Sequence, residues 1–349
     1  MVESFSQRVQ EAAARKQGLR LRGGGTKDFY GREPAGEILD TRSHAGIVAY
    51  EPTELVVTVR CGTTLAELEA ALAAQGQMLA FEPPHFGDWA TVGGCVAAGL
   101  SGPRRASAGA VRDFLLGVKI LDGRGQVLSF GGQVMKNVAG YDVSRLMAGA
   151  MGTLGLILEV SLKVLPRPVA EATLLFEMPQ ERALKTMNQW AGRPLPVSAT
   201  YWHNDELMVR LSGAQAAVKA ARQQLGGEVF AEGNEFWAAV REQRLGFFRD
   251  AATVWRLSLP STAGAIELPG AQVVEWGGSL RWLKSDAEPH VLRGAVEAAG
   301  GHATRFRGGD RRADVFHPLS PALAQIQRNL KQSFDPNGIF NPGRMYPDG

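Results

Sequence analysis

Cysteine and long apolar runs are scarce in this 349-residue sequence. The two cysteines, Cys61 and Cys95, stand far apart, which excludes a disulfide framework and the ligand spacing of zinc or iron–sulfur sites. Apolar stretches fall short of the ~20 residues that span a bilayer, and the first residues lack the apolar centre of a signal peptide. We therefore expect a cytoplasmic protein with no direct membrane span, peripheral at the inner membrane only through partners.

An excess of charge of one sign is also missing. The formal net charge of +3 is spread over 38 basic and 35 acidic residues, without a basic block, so no nucleic acid partner is expected. Hydrophobic residues make up 45% and charged residues 21% of the chain, as in folded globular proteins. The length favours two domains in one subunit.

Glycine, in contrast, is abundant, with 42 residues. The run Arg22-Gly23-Gly24-Gly25-Thr26-Lys27 follows a predicted strand at 19–21. Consecutive backbone N–H groups in such a loop can converge on a diphosphate, helped by a hydroxyl and a nearby positive charge. An ordinary surface turn is the alternative interpretation. The motifs Gly-x-x-x-x-Gly-Lys-Ser/Thr and Gly-x-Gly-x-x-Gly are absent, which disfavours P-loop NTPases and nicotinamide Rossmann enzymes.

Periodicity predicts the elements of the first half of the chain. Helices are expected at 4–17, 65–75 and 142–149, and strands at 19–21, 47–50, 55–60, 115–121, 126–130 and 156–164. Thr64 and Glu67 form a capping box for the second helix. Residues 79–113 hold many glycines and prolines and are predicted to form a long ordered loop, which is usually functional.

The second half alternates strands and helices and indicates an α+β cap. Strands are predicted at 171–177, 197–202, 206–211, 253–259, 272–276 and 303–307, and helices at 179–191, 213–225, 235–246 and 287–299. Five of the seven tryptophans fall between residues 202 and 282, which favours a core or subunit interface. A last helix places Leu323, Ile326 and Leu330 on one side, and we expect it to pack back on the first domain.

Four further segments carry motifs. They are Thr91-Val92-Gly93-Gly94, then Ser101-Gly102-Pro103-Arg104 with Gly109 and Asp113, then Lys136 to Asp142 with Gly152-Thr153-Leu154-Gly155, and finally Asp335-Pro336-Asn337-Gly338 with Asn341-Pro342-Gly343. In this order, behind the first glycine run, they resemble the FAD-binding domain of the vanillyl-alcohol oxidase (PCMH-type) flavoproteins, and more closely the FAD-binding E subunits of bacterial glycolate oxidase.

This resemblance implies an α+β fold with a two-lobed PCMH-type FAD-binding domain and a ferredoxin-like cap. The implied boundaries are 1–168 for the FAD domain, 169–310 for the cap and 311–349 for a returning C-terminal segment. The residues expected to bind FAD are Arg22, Gly23, Gly24, Gly25, Thr26, Lys27, Pro84, Thr91, Val92, Gly93, Gly94, Ser101, Gly102, Arg104, Gly109, Asp113, Gly152, Gly155 and Ile157.

The sequence departs from the family pattern at several places. Ser107 and Ala108 replace a common Arg-Tyr, and Ala150 and Met151 replace Ser-Glu. The first glycine loop has Thr26 where covalent attachment would need His or Cys, so noncovalent FAD is expected. The motifs His-x-His-x-Gly-Asp-Gly-Asn and Glu-His-Gly of self-sufficient relatives are missing, so neither a metal site nor a catalytic residue is predicted.

The resemblance implies a glycolate oxidase subunit that works with a second, D-type FAD subunit and an iron–sulfur subunit. Glycolate would be oxidised to glyoxylate at the D-type partner, and this chain would relay electrons. Two alternatives stay open: a stand-alone FAD-dependent dehydrogenase of a small 2-hydroxy acid, and a scaffold with a vestigial flavin site. The six histidines lack ligand spacing, and His85 is the one beside the predicted flavin loop.

Overall fold

The computed structural model describes residues 1–132, 142–249 and 253–347. The motif predicted at Lys136 to Asp142 lies outside this range except for its last residue. Helices lie at Val2–Arg15 (α1), Leu65–Ala74 (α2), Val92–Ala98 (α3), Arg105–Ala108 (α4), Val111–Phe114 (α5), Val143–Met147 (α6), Gln180–Ala191 (α7), Gln215–Leu225 (α8), Gly233–Arg241 (α9), Pro289–Ala298 (α10) and Pro321–Phe334 (α11).

The strands of the first half are Leu19–Arg22 (β1), Glu37–Asp40 (β2), Ile47–Glu51 (β3), Val56–Arg60 (β4), Gln77–Met78 (β5), Leu115–Leu121 (β6), Val127–Gly131 (β7), Leu156–Lys163 (β8) and Leu165–Pro166 (β9). Those of the second half are Ala170–Glu177 (β10), Val197–His203 (β11), Glu206–Gly213 (β12), Glu228–Phe230 (β13), Val254–Ser258 (β14), Ala271–Glu275 (β15), Leu280–Lys284 (β16) and His302–Arg307 (β17). The mixed α+β class predicted from sequence is confirmed.

An antiparallel sheet in the order β3-β4-β8-β6-β7 forms the centre of the first half. Its middle strand, β8, starts with three apolar residues, Leu156 to Leu158, because both faces of the sheet are covered there. Val160 and Leu162 face the core beneath α2 and α3, whereas Leu156 and Leu158 pack with α1 and the C-terminal segment. Burial on both faces explains the apolar start of this run, whereas apolar and polar residues alternate from Leu158 to Lys163.

Beside this sheet, β1 and β2 pair in parallel. The pairing fixes where β1 ends, because Arg22 lies opposite Asp40 and the glycine run starts immediately afterwards. The sequence did not predict β2, a four-residue strand that depends on its non-local pairing.

The predicted loop at 79–113 is partly wrong, because α3, α4 and α5 lie within it. Two glycines in α3 lower its helix propensity, so the sequence pattern did not predict this helix. The helix forms nonetheless because Thr91 Oγ1 accepts a hydrogen bond from the Gly94 N–H (3.3 Å) and the helix packs under β4 and β8.

Within the described residues, the second half builds an eight-stranded sheet in the order β13-β10-β12-β11-β15-β16-β14-β17. Helices α7 and α8 cover part of one face through a core that includes Leu184 and Val218. The opposite face meets the first half, since Tyr201 and Trp282 share a core with Leu100 and Met151. The sheet therefore lies over the segments that carry the glycine motifs.

The expected packing of the last helix is wrong at two positions. Leu323 and Ile326 in α11 are each 54% exposed, whereas Leu330 packs against the first core. The anchor is polar: the buried Lys331 amine donates to the Thr153 and Phe340 carbonyls and to Asp335 (2.8 Å each). Among the described residues, no helix has the length and apolar composition needed to cross a bilayer.

Candidate functional site

A long cleft begins where β1 ends, and the space between its walls amounts to about 840 Å³, partly open to solvent. The glycine run, the start of α3, the turn at 151–157 and the C-terminal segment line it. The lining residues are Arg20, Leu21, Arg22, Gly23, Gly24, Gly25, Thr26, Lys27, Asp28, Pro34, Thr41, Cys61, Thr91, Gly93, Gly94, Ala97, Ala98, Met151, Gly152, Gly155, Leu156, Ile157, Asn341 and Arg344.

The glycine run is packed so closely that side chains cannot be added to it. A Cβ on Gly24 would lie 1.5 Å from the Trp89 carbonyl oxygen, and one on Gly23 would lie 2.2 Å from Thr91 Oγ1. Gly25 has φ +71°, a conformation that L residues with side chains rarely adopt. Glycine at these positions leaves bare backbone facing the cleft, which is the geometry that approaches a phosphate group.

The wall formed by α3 repeats this arrangement. A Cβ on Gly93 would lie 2.6 Å from the Cys61 Cβ, so the helix closely approaches the end of strand β4 here. Cys61 lines the cleft, and burial raises the pKa of its thiol to about 12. The thiol is therefore protonated at neutral pH and is a poor nucleophile.

The C-terminal segment completes the cleft through Asn341. Its side-chain oxygen accepts from the Leu21 N–H (2.8 Å), and its amide donates to the Met151 carbonyl (2.7 Å). These bonds hold β1 against the turn that starts at Gly152, whose φ is +70°. The C-terminal segment thus joins two walls of the cleft.

Arginines make the cleft basic. Arg20 and Arg22 both pair with Asp28 (2.5 and 2.9 Å), so one carboxylate serves two guanidinium groups. Arg344 donates to the backbone carbonyls of Asp28, Tyr30 and Arg32, and burial lowers its pKa to about 10. The sequence missed Arg20 and Arg344, because neither belongs to a glycine motif. Their surplus of positive charge suits a bound diphosphate.

Lys27, predicted to contribute charge, lies at the far end of the glycine run. Its ammonium donates to the His85 carbonyl (3.2 Å) and lies 5.7 Å from the centre of the Phe86 ring. Burial lowers its pKa, with opposing contributions from Cys95 and Glu242. The side chain thus links the glycine run to the 84–87 segment as well as lining the cleft.

The structure brings together most of the residues expected to bind FAD. Those that line the cleft are Arg22, Gly23, Gly24, Gly25, Thr26, Lys27, Thr91, Gly93, Gly94, Gly152, Gly155 and Ile157. Pro84, Ser101 and Gly102 instead line a second cavity beneath the eight-stranded sheet. Val92, Arg104, Gly109 and Asp113 are not part of the lining of either space. The Asp113 carboxylate accepts from the Ala110 N–H (2.8 Å) and so caps α5.

Arg104 belongs to a buried ionic network between the 79–113 segment and the eight-stranded sheet. It contacts Glu82 (3.4 Å) and Glu171 (2.6 Å), and Glu82 also accepts from Arg210 (2.9 Å). Burial alone would raise the pKa of Glu82, but Arg210 and Arg104 outweigh it and lower the pKa. Nearby Ser107, one of the departures from the family pattern, donates to the Ser198 carbonyl (3.0 Å). This network fixes that segment against the sheet.

Comparison with known proteins assigns a family. The family described as FAD binding domain matches residues 2–131. The glycolate oxidase subunit GlcE of Escherichia coli is 50% identical over 346 residues, which are 99% of this chain and 97% of that protein. The chain belongs to the GlcE family of FAD-binding proteins.

A more distant relative and two solved structures are also similar to this chain. The D-lactate dehydrogenase of Archaeoglobus fulgidus is 26% identical, covering 93% of this chain and 85% of that protein. The structure of p-cresol methylhydroxylase with substrate bound superposes with a TM-score of 0.76 at 16% identity, over 100% of this chain and 88% of that one. One of alkyldihydroxyacetonephosphate synthase reaches 0.67 at 16% identity, over 97% and 75%. The expected fold is thus confirmed.

The residues present fit the cofactor of this GlcE-family chain. The observations that support the fit are the bare backbone at 23–25, where a Cβ has no room, and the arginines that face the same cleft. Flavin nucleotides carry a diphosphate that needs such close backbone approach and positive charge. Among the described residues, no group of three His, Cys, Asp or Glu side chains could hold a metal ion.

Proposed function

We propose that this chain is the noncovalent FAD-binding subunit of a glycolate oxidase. The observation that carries the proposal is the 50% identity with GlcE of Escherichia coli over almost the full length of both chains. The cleft supports it, because its glycine walls and arginines suit a dinucleotide. FAD, when bound, supplies reversible transfer of reducing equivalents.

The residues of this chain would hold and shield the cofactor. The 23–25 backbone and Thr26 would bind the diphosphate, with charge from Arg22 and Arg344. The wall at 152–157 would contact the nucleotide half, and Asn341 would keep the two walls together. Noncovalent binding is supported by Thr26 in the first loop and by the raised pKa of the Cys61 thiol, which disfavours a thiolate attack.

The proposed complex contains a second, D-type FAD subunit and an iron–sulfur subunit. Glycolate would be oxidised to glyoxylate at the D-type subunit, and this chain would pass the electrons towards the iron–sulfur subunit. The absence from this sequence of the histidine motifs carried by self-sufficient relatives supports this division of work.

The first test is the visible spectrum of the purified chain, before and after acid precipitation. Flavin absorption that moves entirely into the supernatant is the expected result, because noncovalent FAD is released when the protein precipitates. Yellow colour that stays in the pellet would contradict noncovalent binding. A colourless chain that takes up no added FAD, alone or with its partners, would contradict the flavin-subunit proposal.

Glycolate-dependent dye reduction then tests the complex. We expect turnover when this chain is combined with the D-type and iron–sulfur subunits, and a strong loss when this chain is left out. Turnover by this chain alone would instead favour a stand-alone dehydrogenase.

A further inference from the structure

The second cavity lies under the inner face of the eight-stranded sheet, next to the main cleft. The space between its walls amounts to about 380 Å³, partly open to solvent, which is less than half of the space in the cleft. Ala98 lines the cleft and Leu100 lines the cavity, so the two spaces are separated by a short stretch of chain. Its lining includes the 101–103 loop, residues of β14, β15 and β16, and the end of α9.

The cavity contains an arginine whose guanidinium makes no direct ion pair among the described residues. Arg256 of β14 forms no side-chain hydrogen bond or ion pair with any residue in 1–132, 142–249 or 253–347, and its guanidinium lies 5.4 Å from the centre of the Trp276 ring. Arg241, which also lines the cavity, is paired with Glu242 (2.8 Å). Arg256 is therefore the arginine in this lining that can offer its fork to an incoming carboxylate.

Trp276 is held in a conformation that a bulky residue rarely adopts. Its φ is +54°, and its indole N–H donates to the Gly102 carbonyl (3.0 Å). Arg105 lies 4.6 Å from the centre of the same ring. Strained backbone of this kind persists where the surroundings fix it, and it concentrates at ligand sites. Here the strain places the indole against Arg256.

Glu275 adds a titratable group to the same wall. Its carboxyl is buried and accepts a hydrogen bond from the Trp282 indole N–H (2.7 Å). Burial raises its pKa to about 7; Arg256 opposes this effect, and Glu82 adds to it. The Tyr201 phenol faces the carboxyl from β11, and its own pKa is raised. Near neutral pH the acid is thus partly protonated and repels a bound anion less than an ionised carboxylate would.

We propose that the second cavity binds the carboxylate of a small 2-hydroxy or 2-oxo acid, with the Arg256 guanidinium as its counter-ion. The choice of this class of acid, with glycolate as the probe, rests on the proposed function. The inference that the cavity binds an anion rests on its own residues. Protonated Glu275 would face the ligand as a hydrogen-bond donor. The chain would then bind a small acid itself, beside its cofactor cleft.

Calorimetric titration of glycolate into the FAD-loaded chain tests the proposal, with the FAD content measured separately by release. If the chain retains no FAD, the same titration is done on the chain as purified. Failure to bind FAD and failure to bind glycolate are thereby distinguished. Glycolate is expected to bind, and uncharged glycolamide at least ~ten-fold more weakly, because charge-assisted hydrogen bonds are lost.

Variants localise the site. Arg256→Gln is expected to weaken glycolate binding about ten-fold or more, and Arg256→Lys less, since the charge remains. Arg105→Gln is the matched control, because Arg105 also contacts the Trp276 ring but does not line the cavity. This variant is expected to change the affinity for glycolate less than about two-fold. Melting curves identify any variant that fails to fold.

The pH dependence of glycolate affinity is a second test. Glycolate affinity is expected to fall as the pH rises from about 6 to about 8 in the parent chain, because Glu275 loses its proton over that range, and to become nearly constant in Glu275→Gln. Equal glycolate affinity in the parent and in a folded Arg256→Gln would overturn the proposal. So would competition between FAD and glycolate, which would make the cavity part of the cofactor site.

Discussion

At the scale of single residues, the close contacts of the glycine run have a measurable consequence. Gly24→Ala would place a Cβ against the Trp89 carbonyl, so the loop must shift away from its present path. We expect at least a ~ten-fold weaker affinity for FAD, because the backbone N–H groups would no longer converge. Titration of the variant with FAD, followed by flavin fluorescence, measures this change.

A matched glycine distinguishes this effect from a general loss of stability. Gly294 lies inside α10, and an added Cβ there would meet open space, with no heavy atom within 4 Å. Gly294→Ala is expected to leave FAD affinity unchanged and to stabilise the fold by about 0.5–1 kcal/mol, as alanine does inside helices. An equal loss of FAD affinity in both variants would argue against a specific role for the first loop.

At the scale of elements, the ionic network around Glu82 joins the 79–113 segment to the eight-stranded sheet. Glu82→Gln leaves Arg104 and Arg210 without their shared carboxylate, and we expect a loss of about 3 kcal/mol in the free energy of unfolding. Because the folded-state pKa lies below the ordinary value of 4.5, the parent loses this contribution as the pH falls below about 4.5. The variant should lose less stability over that range.

Urea unfolding between about pH 3 and about pH 7 measures both effects. Glu33→Gln is the control, since the Glu33–Arg312 pair is exposed and exposed pairs contribute little. We expect this control to unfold at the parent's urea concentration near neutral pH. Identical pH profiles for the parent and Glu82→Gln would show that the network does not link the two elements energetically.

Helix α11 offers a second prediction at this scale. Leu330→Ala is expected to cost about 1–2 kcal/mol, because it is partly buried against the first core, whereas the exposed Leu323→Ala should cost less than about 0.5 kcal/mol. Chemical denaturation of the two variants compares them directly. A larger loss for Leu323 would mean that its face of the helix is covered.

The sequence pattern predicted those elements that are stabilised mainly by interactions between residues close together in the sequence. The strand at 115–121 and its hairpin turn through Asp122 were placed correctly because alternation and turn residues are visible in sequence. Strands β2 and β16 and helix α3 were missed, since non-local pairing or close packing stabilises them against weak propensity. The same division holds in the site: glycine loops were visible, whereas Arg20 and Arg344 reach the cleft only through tertiary folding.

At the scale of the whole molecule, a cofactor that binds only the folded chain must raise its stability. FAD at about a hundred times its dissociation constant is expected to add about 2.7 kcal/mol to the free energy of unfolding. Thermal unfolding with increasing FAD measures the shift, and the Gly24→Ala variant should show a much smaller one at equal FAD. An unfolding temperature independent of FAD would contradict a cofactor site in the parent chain.

The cleft is built from both ends of the chain. Leu19 of β1 bridges to Phe340, and Asn341 holds Leu21 against Met151. The ribosome synthesises the N-terminal part first. The glycine run is therefore made long before the C-terminal segment that forms the opposite wall of the cleft. Flavin insertion would therefore follow the synthesis of the segment that contains Phe340 and Asn341. Truncated transcripts, or proteases that remove this segment, would yield chains unable to keep the cofactor.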